Sequence, residues 1–289
     1  MRFAITLTDR FKPVLDACLA AGWEPVKLFS VPLEGQLHGN RQIVADAARL
    51  GLPLQLSPIQ PRDLQQLAED GCEALLAASY NWRIPDWRPH LRYGVNFHPS
   101  PLPVGRGPYP LPRAILEGRT QWATCCHALD PDFDSGAVLA REDYALDVAE
   151  TLETLEWKNR LALGRLSRRL TADLPRLWRD AVPQDETQAS YWPRWSEAER
   201  TLPLAGTLDE VSLRLRAFGE LNCLARVNQV DIIVHRAQGW RESHGFAPGS
   251  LVQAIDLEML VALRDGFLVI SEWSLQAPGA RDGRRPFQF

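Results

Sequence analysis

The stretch Asn96-Phe97-His98-Pro99-Ser100-Pro101-Leu102-Pro103-Val104-Gly105-Arg106-Gly107-Pro108-Tyr109-Pro110 is the densest cluster of Pro and Gly in the chain. It continues a short apolar run over 94–97 that reads as a β-strand. Side chains alternate between the faces of a strand, so Asn96 and His98 share one face. They also sit at the carboxyl end of that strand, the end at which open α/β sheets bind ligands. The five prolines and two glycines behind them make a stiff, irregular loop suited to fixing the wall of a site. A lone His in a Pro-rich connector would be an ordinary hydrogen-bonded side chain. The Asn two residues earlier and the loop behind it tip the reading toward a functional site.

The flanking sequence makes this strand one of a series. Short apolar runs over 2–8, 26–30, 54–56, 74–78, 94–97, about 122–128 and 137–141 alternate with helical patterns over 11–21, 40–50, 62–70 and 111–116. A single long helix is expected from about 149 to 179. Its Arg160, Arg165, Arg168, Arg169, Arg176 and Arg179 read as a solvated face rather than an RNA groove. Residues 183–203, with Pro183, Pro193 and Pro203, read as a linker. Beyond it come a helix over 208–218 and five short alternating runs near 224–227, 232–235, 251–255, 260–263 and 268–270. These suggest a small OB-like β-barrel. The expected class is therefore α/β: a Rossmann-like, mostly parallel sheet over 1–182, the linker, and the barrel over 204–289.

Composition narrows the function. The chain has 289 residues, 45% hydrophobic and 24% charged, which is globular and neither disordered nor fibrous. No apolar run approaches the ~20 residues of a membrane span, and the first residues are charged too early for a secretory signal. A cytoplasmic protein with no membrane partner is expected. Net charge is −4, and the last 99 residues hold 11 basic and 12 acidic groups, so neither half carries a nucleic-acid footprint. Cys18, Cys72, Cys125, Cys126 and Cys223 show no C-x-x-C spacing, which argues against zinc or redox chemistry and for buried thiols. No metal is expected. No G-x-G-x-x-G follows a predicted strand, which disfavours a nicotinamide enzyme.

A second cluster, Asp130-Pro131-Asp132-Phe133-Asp134-Ser135-Gly136, lies between two predicted strands. Such aspartates commonly just form turns. A carboxylate there could instead orient an imidazole and take part in proton transfer. Asn-x-His, then Ser-Pro-Leu-Pro-x-x-Arg-Gly, then Asp134-Ser135-Gly136 resembles the formyltransferase family that uses 10-formyltetrahydrofolate. Pro101 stands where that family usually has Leu. The resemblance covers 1 to about 180 and implies Asn96, His98 and Asp134 as the catalytic triad. It implies a folate pocket at Tyr80, Trp82, Arg83, Ile84, Pro85, Asp130, Phe133 and Gly136. It also implies a substrate loop containing Ser100, Leu102, Pro103, Arg106 and Gly107.

The implied chemistry suits these side chains. An amine attacks the formyl carbon, and donors such as the Asn96 amide and a protonated His98 would steady the charge growing on the formyl oxygen. Asp134 would hold His98 and help move the proton. No metal and no covalent enzyme adduct are needed.

The acceptor is less fixed. Tyr191-Trp192-Pro193-Arg194-Trp195, Leu215-Arg216-Ala217-Phe218, Pro248-Gly249-Ser250-Leu251-Val252 and Asp265-Gly266-Phe267-Leu268 resemble the tail of the family's methionyl-tRNA enzymes. Against tRNA, residues 31–40 contain no Lys or Arg where those enzymes carry a basic insertion. Leu7-Thr8-Asp9-Arg10 replaces their Gly-Thr-Pro loop, and the barrel lacks an excess of positive charge. A small-molecule or amino-acid-derived amine is expected ahead of methionyl-tRNA. A folate-binding hydrolase that releases formate and a non-catalytic binding module remain alternatives. Trp82, Trp87, Trp157, Trp192 and Trp195 are expected mainly as packing residues.

Overall fold

Alternating apolar strands and amphipathic helices can bury their faces only by stacking in layers, and the computed structural model does so around two sheets. It describes residues 1–32, 39–221 and 223–276. In chain order the first part comprises β1 (Arg2–Leu7), α1 (Lys12–Ala20), β2 (Glu24–Phe29), α2 (Arg41–Leu50), β3 (Leu54–Gln55), α3 (Pro61–Glu69), β4 (Ala74–Ala78), β5 (Tyr93–His98), α4 (Leu111–Leu116), β6 (Gln121–Ala128), β7 (Val138–Ala145), α5 (Leu152–Ala172) and α6 (Leu174–Arg179). There follow α7 (Glu197–Arg200), α8 (Leu208–Phe218), β8 (Cys223–Val227), β9 (Val230–Arg241), β10 (Leu251–Ile255), β11 (Glu258–Ala262) and β12 (Gly266–Leu275).

The first sheet runs β3-β2-β1-β4-β5-β6-β7. Its pairs are parallel through β4–β5 and antiparallel at β5–β6 and β6–β7. Strands buried on both faces read as unbroken apolar runs, and all five residues of β4 are buried. The second sheet is antiparallel, in the order β10-β11-β12-β9-β8. Among the described residues the barrel-like unit is a five-stranded antiparallel sheet, with β8 and β10 at the ends of the strand order and α8 packed on it.

Three expectations change. The long helix over 149–179 is two helices, because Pro175 lacks the N–H that a helix interior requires. Asp173 breaks the helix at φ −159° and caps α6 by accepting from the Arg176 N–H at 3.1 Å. Second, the segment read as a linker is docked. The Arg106 N–H donates to the Ser190 carbonyl and the Trp192 N–H donates to the Arg106 carbonyl, while Val182, just ahead of the segment, exchanges backbone hydrogen bonds with Val138. The approach is close: a Cβ on Gly107, at φ +100°, would stand 2.4 Å from the Trp192 carbonyl oxygen. Third, Trp157 is 58% exposed rather than packed, whereas Trp87 is buried, Trp192 stacks on Trp122 and Trp195 meets Phe218 edge-on. The predicted absence of basic residues over 31–40 falls largely on 33–38, outside the described residues.

The five cysteines are buried as free thiols. The Arg face of α5 and α6 meets carboxylates: Arg165 and Arg169 reach Glu142, Arg176 reaches Asp173, and Arg179 reaches Asp180. Among the described residues no helix is long and apolar enough to cross a membrane.

Candidate active site

Period-two alternation places Asn96 and His98 on one face of β5, and β6 pairs antiparallel so that His127 stands opposite Asn96. The turn after β6 brings Asp134 back over both strands. Its backbone is left-handed, at φ +58°, a conformation that Asp tolerates better than most residues. Asn96 Nδ2 donates to Asp134 Oδ1 at 3.1 Å, and His98 Nδ1 lies 3.5 Å from the same oxygen. The Gly107 N–H donates to Asp134 Oδ2 at 2.9 Å. Asn96, His98 and Asp134, predicted as a set, therefore meet.

His127 joins them and was not anticipated. Its Nδ1 faces the Ala128 carbonyl at 2.8 Å, which assigns the proton there and leaves Nε2 to accept from Asn96 Nδ2 at 3.0 Å. The one local signal is the order His-x-x-Asp from 127 to 130, which is too common to use.

Burial pushes the His98 imidazole below the ordinary histidine range, against the opposing pull of Asp134 and the Gly105 carbonyl. Burial also works to raise the Asp134 carboxyl, but the pull of His98 and that of the Gly107 N–H outweigh it and hold the group far below the usual carboxylate range. The His98 ring stands beside the Asp134 carboxylate. Its Nε2 lies 2.8 Å from the Gly105 carbonyl oxygen, which places the proton on that nitrogen.

These groups line a cleft of about 630 Å³ whose remaining lining falls into two chemical sets, or arms. One arm is aromatic. Tyr80 and Trp82 meet edge-on at 5.2 Å, and Arg83 lies over the Phe133 ring at 4.9 Å. Ile84, Pro85 and Asp130 complete it. The Tyr80 hydroxyl, raised by burial, accepts from the Ile59 N–H at 2.7 Å. The other arm, missed in the sequence, is polar: Arg10 pairs with Glu156 beside Tyr109, Asn159 and Arg194. Burial raises the Tyr109 hydroxyl pKa, while the charges of Arg194 and Arg10 lower it. The signal available was Arg10, three residues past the end of the first strand.

Several predicted residues stand outside the cleft. Gly136 does not line it; a Cβ there would lie 1.9 Å from the Ala128 carbonyl oxygen, so the glycine lets the turn close. Ser100, Leu102 and Pro103 are also outside the lining, with Ser100 and Leu102 buried beneath the loop. Arg106 points away and binds Gln184 and Glu186. Only Gly107 of the predicted loop set lines the cleft.

Comparison with known proteins gives this arrangement its class. A family model described as "Formyl transferase" matches residues 65–163. The methionyl-tRNA formyltransferase of Bordetella petrii is 28% identical over 97% of this chain and 93% of its own. That of Roseobacter denitrificans is 31% identical over 75% and 73%. Among solved structures, HypX from Aquifex aeolicus superposes with a TM-score of 0.69 at 17% identity; it covers 96% of this chain, but the chain spans only 46% of HypX. HypX has also been solved with tetrahydrofolic acid. An N-formyltransferase from Helicobacter canadensis, solved with folinic acid and dTDP-3-aminofucose, gives a TM-score of 0.65 at 13% identity over 94% and 99% of the two chains. The chain belongs to the formyltransferase family and is a folate-dependent enzyme of that family.

Proposed function

We propose that the chain moves a formyl group from 10-formyltetrahydrofolate to a primary amine, with Asn96, His98 and Asp134 as the catalytic residues. The observation that carries the reading is their convergence in one cleft that is also lined by the aromatic and the charged set. The aromatic arm fits a flat, fused-ring folate: Tyr80, Trp82 and Phe133 supply ring faces, and Asp130 and Arg83 supply polar edges. When bound there, 10-formyltetrahydrofolate supplies the activated formyl carbon.

The resting hydrogen bonds set the roles. The Asn96 N–H directed at His127 is a neutral contact, and turning it to the formyl oxygen as charge grows there makes a stronger, charge-assisted bond. His98 Nδ1 faces an ionised carboxylate and accepts the amine's proton, with Asp134 steadying the imidazolium that results. His98 therefore becomes charged as the amine adds, and passes the proton to the folate N10 as the formyl C–N10 bond breaks, which returns the ring to its starting state.

The acceptor amine enters along the Arg10–Glu156 arm. The methionyl-tRNA formyltransferases that align along nearly the whole chain, second sheet included, favour an aminoacyl-tRNA. They outweigh the balanced charge of the last 99 residues, which put a small amine first. The small-amine reading keeps one specific support: the arm itself carries charges of both signs on half-buried side chains.

The test is folate release from 10-formyltetrahydrofolate with charged initiator tRNA or with a panel of amino sugars and amino acids. Turnover should need an amine acceptor, and Asn96→Ala, His98→Ala and Asp134→Ala should each cut it by about 100-fold or more with the fold retained. Release without acceptor would replace transfer by hydrolysis, and near-normal rates in all three variants would overturn the site.

A further inference from the structure

The segment after α6 holds a side chain, Gln184, that is hydrogen-bonded to both the Asp134 turn and Arg106. Gln184 Nε2 donates to the carbonyl oxygens of Asp134 at 2.7 Å and Gly136 at 2.8 Å. Its Oε1 accepts from Arg106 Nε at 3.0 Å and Nη2 at 2.8 Å. The amide orientation is fixed, since two carbonyls require the nitrogen and a guanidinium requires the oxygen. Arg106 is anchored further by Glu186, at 2.6 and 3.0 Å. The same loop carries Gly105, whose carbonyl faces His98 and whose N–H donates to Ser190 Oγ at 2.9 Å.

A single amide therefore joins the turn that aims Asp134 to the loop that holds His98. Asp134 keeps a left-handed backbone, and that backbone relaxes readily once the carbonyl on either side of Ser135 loses its donor. Asp134 Oδ1 must stay within reach of both Asn96 and His98, so a small rotation of the turn breaks both contacts. We propose that Gln184 is a positioning residue of the formyl-transfer site, holding Asp134 in register with His98 and Asn96. The proposal rests on the catalytic reading of those three residues.

Gln184→Glu separates this role from simple anchoring of Arg106. The carboxylate would pair with Arg106 at least as well as the amide does, but it would set an oxygen against the Asp134 and Gly136 carbonyls. Q184E should lower kcat by about 100-fold, the scale expected of an ångström-sized misplacement. The acid limb of the pH–rate profile should move to lower pH, because His98 loses the carboxylate that favours its charged form. In an Asp134→Asn background, Q184E should cost no more than about twofold. Gln184→Met, uncharged and of similar length, takes its place if Q184E does not fold, with the same expectations. A kcat within about twofold of wild type, or additive losses with an unmoved acid limb, would overturn the proposal alone. Full turnover by Asp134→Asn would overturn the catalytic reading and the proposal with it.

Discussion

At the scale of single residues, the site stores its chemistry as a pH dependence of stability. Both His98 and Asp134 have folded-state pKa values below their ordinary ones. A depressed folded pKa means that the unfolded chain binds more protons, so stability rises with pH. The His98 contribution is therefore complete above about pH 6.5, the ordinary imidazole value, and is lost as pH falls below it. The Asp134 contribution is complete above about pH 4 and is lost in more acid solution. In His98→Asn the denaturation midpoint should change less between about pH 6.5 and 5 than in wild type; parallel curves would show that His98 does not titrate as described. Asn96 and His98 were legible because period-two alternation is local. His127 was not, because its place opposite Asn96 depends on the pairing of β5 with β6 across a 31-residue separation. Gln184 was hidden for a related reason: polar residues among prolines look like solvated linker, and only the folded loop supplies its partners.

At the scale of elements, the turn between β6 and β7 is the least forgiving piece. Gly136 has no positive φ to demand glycine; the demand is steric, from the Ala128 carbonyl. Gly136→Ala should destabilise the protein by about 2 kcal/mol or more. Turnover should fall with it, since the same turn carries Asp134. A wild-type denaturation midpoint would show that the turn can shift freely. The sequence marked this glycine for ligand binding because Asp-Ser-Gly resembles a family motif; a motif reports a constraint, and here the constraint is backbone closure. The helices were legible in part. The 3.6-residue periodicity runs through 149–179 without interruption, and a Pro in a first turn leaves no mark in that pattern, so the boundary at Asp173 became visible only as a cap.

At the scale of the whole molecule, the two sheets are not separate bodies. One continuous apolar cluster joins Leu111, Ile115, Trp122, Leu152 and Leu155 of the first part to Leu202, Val211, Phe218, Ile232 and Leu268 of the second. Phe218 is fully buried at this seam, 4.9 Å from the Trp195 ring. Trp195 in turn donates from Nε1 to the carbonyl of Tyr109, a residue of the charged arm. The residues that would grip an acceptor thus stand on a core the two sheets build together, and neither sheet can loosen without disturbing it. Phe218→Ala should cost about 3–5 kcal/mol, the range for a large buried ring. Because the cavity opens in a shared core, the midpoint for loss of folate-analogue binding should move as far as the midpoint for loss of backbone circular dichroism. If circular dichroism showed the second sheet melting early while analogue binding kept its wild-type midpoint, the sheets would be independent folding units and the acceptor arm would need another support.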